Sequence, residues 1–120
     1  MSVAVSLEEL ERRIEEFGRL AFLVTTDGAG SHVVSVSVTF DGTQISIVAG
    51  RTSRANIDAM ATATLLWPGG EGPYGLIVDG DARTDGDAVW LRPTRAVLHR
   101  LADAPTDLPS CVRIETDDGG

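Results

Sequence analysis

The chain contains no lysine and a single cysteine. All ten of its cationic residues are arginines, set against 18 aspartates and glutamates, which gives a formal net charge of −8. Without lysine, covalent catalysis through a side-chain Schiff base is excluded. Any anion site must therefore use arginine, hydroxyl groups or backbone amides. The acidic balance also argues against a protein that binds nucleic acid through a general positive field.

Several other features are missing. Cys111 cannot form an internal disulfide, and its surroundings, S-C-V-R-I, predict a small core residue. One cysteine and two distant histidines make no zinc signature. No apolar run approaches the roughly 20 residues of a membrane span, and residues 1–5 lack the pattern of a signal peptide. We therefore expect a cytoplasmic protein with no membrane partner.

The length of 120 residues fits one domain spanning the whole sequence. Within it, residues 116–120 are expected to form a solvated, frayed tail. The segment S-L-E-E, which begins at Ser6, matches a capping box. Apolar residues from Leu7 to Phe17 then recur at helical spacing, and Gly18 can end the helix.

Residues 20–49 predict a three-stranded meander, with strands at 20–26, 32–40 and 43–49. The middle strand shows strict alternation, with one apolar face and one mostly small, polar face. The apolar face carries Val34, Val36, Val38 and Phe40, and the other face carries Val33, Ser35, Ser37 and Thr39. The strands are joined by the turn at 27–30 and by Asp41-Gly42, a strong hairpin signal.

The second half predicts a short helix at about 53–60, which buries Ile57 and Met60, followed by more strands. Gly80 lies inside one of these strands and indicates a bulge or a bend. Pro93 argues against an uninterrupted helix in the next segment, which we interpret as strand on both sides of a break. The strands are expected at 63–67, 74–84, 88–101 and 111–115, with loops at 68–73 and 102–108. The fold class is therefore mainly β with minor α, a barrel of six or seven antiparallel strands.

The stretch from Val48 to Asn56, V-A-G-R-T-S-R-A-N, carries the main functional signal. Gly50 permits a reversal, and Thr52 or Ser53 can cap the following helix with a hydroxyl oxygen. Arg51 and Arg54 flank that cap, and free N–H groups at a helix start attract anions. Hydroxyls, guanidinium groups and amides converging on one point suit a phosphate.

The order of these pieces resembles the pyridoxamine 5′-phosphate oxidase-like, FMN-binding split β-barrel superfamily. The resemblance covers nearly the whole chain. It rests on A-F-L-V-T-T-D-G at 21–28, H-V-V-S-V-S-V at 32–38, I-S-I-V-A-G-R-T-S-R-A-N at 45–56, T-L-L-W-P at 64–68 and L-I-V-D-G-D-A at 76–82. The segment P-T-R-A-V-L-H-R at 93–100 resembles a small uncharacterised subgroup.

The resemblance implies a homodimer with flavin sites at the subunit interface. It assigns the cofactor phosphate to the start of the second helix and the flavin ring to the second and third strands. The implied phosphate residues are Arg51, Thr52, Ser53, Arg54 and Asn56. The implied ring contacts are Ser35, Val36, Ser37, Val38, Val48 and Ala49.

The sequence departs from that family at two places. Ala55 stands where related oxidases have a lysine in the phosphate segment, and Arg51 or Asn56 could compensate. Ser35 and Thr39, or their neighbours, stand where the oxidases carry an arginine and a lysine for their substrate. The protein is therefore not expected to be a pyridoxamine phosphate oxidase.

Three functions remain open from the sequence. The first is an oxidoreductase that uses FMN or a deazaflavin coenzyme on a small organic substrate, which the sequence does not identify. The second is a non-enzymatic module that carries or senses a flavin, or haem through His32 or His99. The third is a structural dimer without a cofactor. Trp67 and Tyr74 bracket the loop at 68–73; core or interface packing is expected for both, and Trp67 is also a candidate ring contact.

Overall fold

The computed structural model describes residues 2–4, 7–69, 72–100 and 111–115. These residues form eight strands and two helices. In chain order the elements are β1 (Ser2–Ala4), α1 (Leu7–Phe17), β2 (Leu20–Thr26), β3 (Ser31–Phe40), β4 (Ile45–Val48), α2 (Arg51–Met60), β5 (Thr62–Trp67), β6 (Tyr74–Asp85), β7 (Ala88–Arg100) and β8 (Cys111–Glu115). Neither helix in this part of the chain has the length and apolar content needed to cross a membrane.

Six of the strands close into an antiparallel barrel. They follow the order β7-β4-β3-β2-β5-β6, and pairing between β6 and β7 joins the two ends. Strand β8 adds to the far half of β7, and β1 runs parallel to β8. The predicted mainly β barrel with an N-terminal helix and a short internal helix is therefore confirmed.

Parts of the sequence prediction fall outside the described residues. These parts are the cap at Ser6, the loop at 102–108 and the tail at 116–120. The side chain of Cys111 is likewise not described, so its predicted core role stays a prediction. The same holds for the prediction that all 120 residues form one domain.

The barrel core follows from the strand alternation that the sequence shows. In β3, Val36 and Val38 are buried while their neighbours Ser35 and Ser37 are exposed. Helix α1 covers one part of the core with Leu10 and Ile14. The helix ends where predicted: Gly18 has a φ of +97°, and its N–H donates to the Ile14 carbonyl at 2.8 Å.

Helix α2 ends at Met60 as predicted but differs from the prediction at its start and in the burial of Met60. It begins at Arg51, two residues early, with Gly50 as its N-cap and no side-chain cap bond. Because Thr52 lies inside the first turn, the predicted hydroxyl cap is wrong. Ile57 is buried as expected, but Met60 is 44% exposed. Met60 is the last helical residue, where the chain turns away through a left-handed conformation at Ala61.

The helix instead buries two polar residues beside Ile57. These are Ser53 and Asn56, both of them among the predicted phosphate residues. Ser53, Asn56 and Ile57 are spaced three and four residues apart, so they share one helix face, and that face is buried.

The turns at 27–30 and 41–44 are built around aspartates, as the sequence indicates. Asp27 accepts hydrogen bonds from the backbone N–H groups of Ala29 and Gly30. Asp41 accepts bonds in the same way in the next turn, from Gln44 at 2.7 Å. These backbone bonds favour the ionised form, so the pKa of each carboxyl lies below its usual value.

The predicted bulge at Gly80 is confirmed. Asp79 pairs with Arg95 and Gly80 pairs with Pro93, so Thr94 has no partner in the register. A Cβ added to Gly80 would lie 2.4 Å from the Arg92 carbonyl oxygen and 2.6 Å from a Leu91 methyl carbon. The close approach of the two strands therefore requires glycine at this position.

Replacing Gly80 with alanine should destabilise the protein by about 1–3 kcal/mol, because backbone must move to admit the methyl group. Gly30→Ala is the matched control, since its Cβ would meet nothing within 4 Å. The free energy of unfolding from urea titration measures both. A Gly80→Ala protein as stable as the control would contradict this account of the bulge.

Candidate functional site

The outward side chains of β2 and β3 form a continuous surface that the core does not use. Leu20 pairs with Ser37 and Phe22 pairs with Ser35, and all four point away from the barrel interior. Leu20 is 75% exposed and Phe22 is 38% exposed. We call this surface the β2–β3 face. It combines large apolar groups with small hydroxyls, which is unusual for a surface facing only water.

The predicted ring-contact residues divide between the two sides of the sheet. Ser35 and Ser37 lie on the β2–β3 face, and Val48, 69% exposed, points outward on the adjacent strand. The side chains of Val36 and Val38 lie in the core. These two valines can reach a ligand on the face only through their backbone groups.

Ala49 is also buried, and its N–H donates to the Asp87 carbonyl at 3.0 Å. That donor is therefore used within the fold. The carbonyl of Ala49 is the remaining backbone group through which this residue could contact a ligand.

The start of α2 has some of the features of an anion site. Arg51 and Thr52 are exposed, and the first turn contains no acidic residue. Since Gly50 provides no side-chain cap, the backbone N–H groups of the first turn remain available to donate hydrogen bonds to a ligand. A phosphate group fits this set, and the positive end of the helix dipole favours it.

Arg54 is engaged differently from the sequence prediction. Its Nε donates to the Gly50 carbonyl at 3.3 Å, and its Nη1 donates to the Gly86 carbonyl at 3.2 Å. Together with the bond from Ala49 to Asp87, these contacts tie the start of α2 to the turn between β6 and β7. We call this arrangement the Arg54 clamp. A contact between Arg54 and an anion stays a prediction.

The remaining two predicted phosphate residues face the barrel. Asn56 is buried, and its Nδ2 donates to the Thr25 hydroxyl at 3.1 Å. The Ser53 hydroxyl is fully buried with no hydrogen-bond partner. A buried hydroxyl left unpaired costs about 1–3 kcal/mol, so the first turn of α2 holds one polar group that the protein alone does not satisfy.

Trp67 does not belong to this surface. It is 1% exposed, and its indole N–H donates to the Gly18 carbonyl at 2.8 Å. The candidate role of Trp67 as a ring contact is therefore wrong in this structure, because the side chain is committed to the core. Tyr74 packs against the same core from a partly buried position.

The two histidines lie on different strands, His32 on β3 and His99 on β7. His32 is half-buried at the start of β3, and His99 is exposed near the end of β7. Among the described residues there is no group of three metal-ligating side chains. The structure adds no observation in favour of haem binding through either histidine.

The turn at Gly86–Asp87 is a part of the site that the sequence reasoning missed. Both of its contributions are backbone carbonyls, and they meet residues more than thirty positions earlier in the chain. Backbone carbonyls leave no residue-type signal. The turn itself was predictable from D-G-D, but its contact with α2 was not.

Comparisons with known proteins place the fold. No protein-family model matches the chain, and no curated protein matches it. Among solved structures, the chain is similar to a Clostridium acetobutylicum protein related to general stress protein 26 of B. subtilis, described as of the pyridoxinephosphate oxidase family. That match has a TM-score of 0.62 and 14% identity and covers 78% of this chain and 87% of the other.

A second similar structure is the FAD binding protein from Mycobacterium smegmatis. Its TM-score is 0.57 and its identity 20%, over 77% of this chain and 91% of the other. At these identities the likeness shows the fold. The chain has the split β-barrel fold that the resemblance implied.

Replacing Arg54 with alanine should lower the free energy of unfolding by about 1 kcal/mol, since two hydrogen bonds from a half-buried guanidinium are lost. Arg51→Ala is the matched control: it removes the same charge three residues away, from a side chain that makes no described contact. Its effect should stay within about 0.5 kcal/mol. Equal stabilities of the two variants in urea titration would contradict the clamp.

Proposed function

We propose that the protein is a flavin-binding homodimer whose ligand lies on the β2–β3 face at the subunit interface. One observation carries the proposal. The predicted ring contacts with outward side chains, Ser35, Ser37 and Val48, share a single exposed surface with Leu20 and Phe22. A flat aromatic ring needs a surface of small side chains that it can approach closely, and the serines supply one.

The exposed apolar groups support the dimer. Leu20, Val33 and Val48 are each more than half exposed in the single chain. A second copy related by a two-fold axis would cover these side chains with the same surface of its own. At about 25 cal/mol per Å² of apolar area, their removal from water favours association.

The start of α2 is the proposed phosphate site. Arg51 would supply the charge, Thr52 a hydroxyl and the first-turn amides further donors, while the Arg54 clamp fixes their backbone. The missing lysine at Ala55 and the engagement of Arg54 leave Arg51 as the main cation. FMN is the first candidate ligand, and a deazaflavin coenzyme is the alternative.

A bound flavin would supply hydride or electron transfer, and on this proposal the protein is an oxidoreductase that acts on a small organic substrate in the cytoplasm. The residues of this chain would bind and orient the ring and exclude water from one of its faces. The solved neighbours support the flavin, since one is described as FAD-binding and the other as of an oxidase family.

The alternative is a carrier or sensor that binds flavin without turnover. It is favoured by the chemistry of the β2–β3 face, whose described outward residues are aliphatic, aromatic or hydroxyl-bearing. None of these is a general acid or base near neutral pH. Turnover of a reduced deazaflavin by the purified protein would favour the oxidoreductase over the carrier or sensor.

The phosphate site is tested by titrating the protein with FMN and with riboflavin, which lacks the phosphate. Arg51→Ala should weaken FMN binding by roughly 10- to 100-fold, the equivalent of about 1.5–3 kcal/mol for a charge-assisted contact. Riboflavin binding should not change. Arg12→Ala, on the exposed side of α1, controls for net charge.

Two results would count against the proposal. Wild-type protein that binds neither FMN nor the deazaflavin coenzyme would refute flavin binding as a whole. An FMN affinity unaffected by Arg51→Ala would contradict the proposal that the phosphate binds at the start of α2.

A further inference from the structure

A second row of outward side chains crosses the barrel beside the β2–β3 face. Thr39 pairs with Ser46, Ser46 with Trp90, and Trp90 with Arg83, so four neighbouring strands contribute one residue each. All four are exposed or half-buried. Strands lie about 4.8 Å apart, so this Thr39–Arg83 row is about 14 Å long. It begins two residues along β3 from Ser37.

Arg83 is held in place at one end of the row. Its guanidinium carbon lies 5.6 Å from the centroid of the Trp90 ring, within the range of a cation–π interaction. The side chain is exposed and forms no ion pair with a described carboxylate. The stacking orders the guanidinium while leaving its N–H groups free to donate.

The next arginines on the same two strands are paired with acids. Arg92 contacts Asp81, and Arg95 donates to Asp79 at 3.0 Å. Of the eight arginines whose side chains are described, four pair with carboxylates and four, Arg83 among them, do not. Asp85 lies two residues from Arg83 on the same face but makes no ion pair with it.

The other end of the row also carries an arginine without a carboxylate partner among the described residues. The Nη2 of Arg19 donates to the Thr39 hydroxyl at 3.4 Å. The row therefore runs from one guanidinium, across two hydroxyls and an indole, to a second guanidinium. The four residues of the row include no acidic side chain, whereas Glu11 and Glu15 line the same cavity as Arg19 and Thr39 at the far end.

We propose that the Thr39–Arg83 row binds a planar organic carboxylate, with the carboxylate on the Arg83 guanidinium and its flat body beside Trp90 and Ser46. Arginine donates two parallel hydrogen bonds to a carboxylate, and its fork geometry favours this group. The indole and the small serine side chain leave a level surface for a ring. This site does not depend on flavin binding.

Sodium benzoate is the probe, and the readout is the indole N–H signals in ¹⁵N-labelled protein without flavin. The chain has two tryptophans. Trp90 lies in the row, whereas Trp67 is buried and bonded to Gly18, so Trp67 serves as an internal control. Benzoate should shift the Trp90 signal saturably and leave the Trp67 signal unmoved. Benzamide, a neutral analogue of the same shape, should bind at least 10-fold more weakly.

Two variants sharpen the test. Arg83→Gln should lower the affinity for benzoate at least 10-fold. Arg95→Gln removes the same charge from the same pair of strands and should change it by less than 2-fold. Trp90→Phe should remove the responding signal and so identify it.

The proposal fails if benzoate produces no saturable shift, if benzamide binds equally well, or if Arg83→Gln leaves the affinity unchanged. Because no flavin is present, a negative result here is distinct from a failure of the flavin proposal.

Discussion

The pairing of β6 with β7 is the interaction on which the rest of the structure depends. It joins the two ends of a six-strand sheet, and it includes a bulge at which Gly80 meets the Arg92 carbonyl closely. Closure gives every barrel strand an inside and an outside. The interior takes the alternating valines, leucines and isoleucines, and whatever the other positions carry must face solvent, a ligand or a partner.

The same pair of strands also positions the candidate ligand site. The turn between β6 and β7 presents two carbonyls to the start of α2, where they meet Ala49 and Arg54. The pairing that closes the barrel therefore also positions the start of α2. The outer faces near this junction differ in chemistry: β2 and β3 are apolar and small, whereas β6 and β7 carry ion pairs and the stacked Arg83.

Local patterns predicted most of the fold, and tertiary contacts decided the rest. Strand β2 falls where the sequence placed it, and the alternation of 32–40 gave the correct buried face. The predicted cap of α2 was wrong because Gly50, Thr52 and Ser53 are all suitable N-cap residues, and the local sequence does not decide which of them takes that position. The bonds from Arg54 to Gly86, from Asn56 to Thr25 and from Trp67 to Gly18 span 31 to 49 residues along the chain, beyond any local pattern.

The central claim is that the β2–β3 face joins two copies of the chain. Sedimentation velocity of the wild-type protein and of Leu20→Glu tests it most directly, with Ala29→Glu in an exposed turn as the control. The account predicts twice the chain mass of 12.7 kDa for wild type and control, and a folded monomer for Leu20→Glu. A monomeric wild type, or a Leu20→Glu dimer as tight as the control, would contradict it.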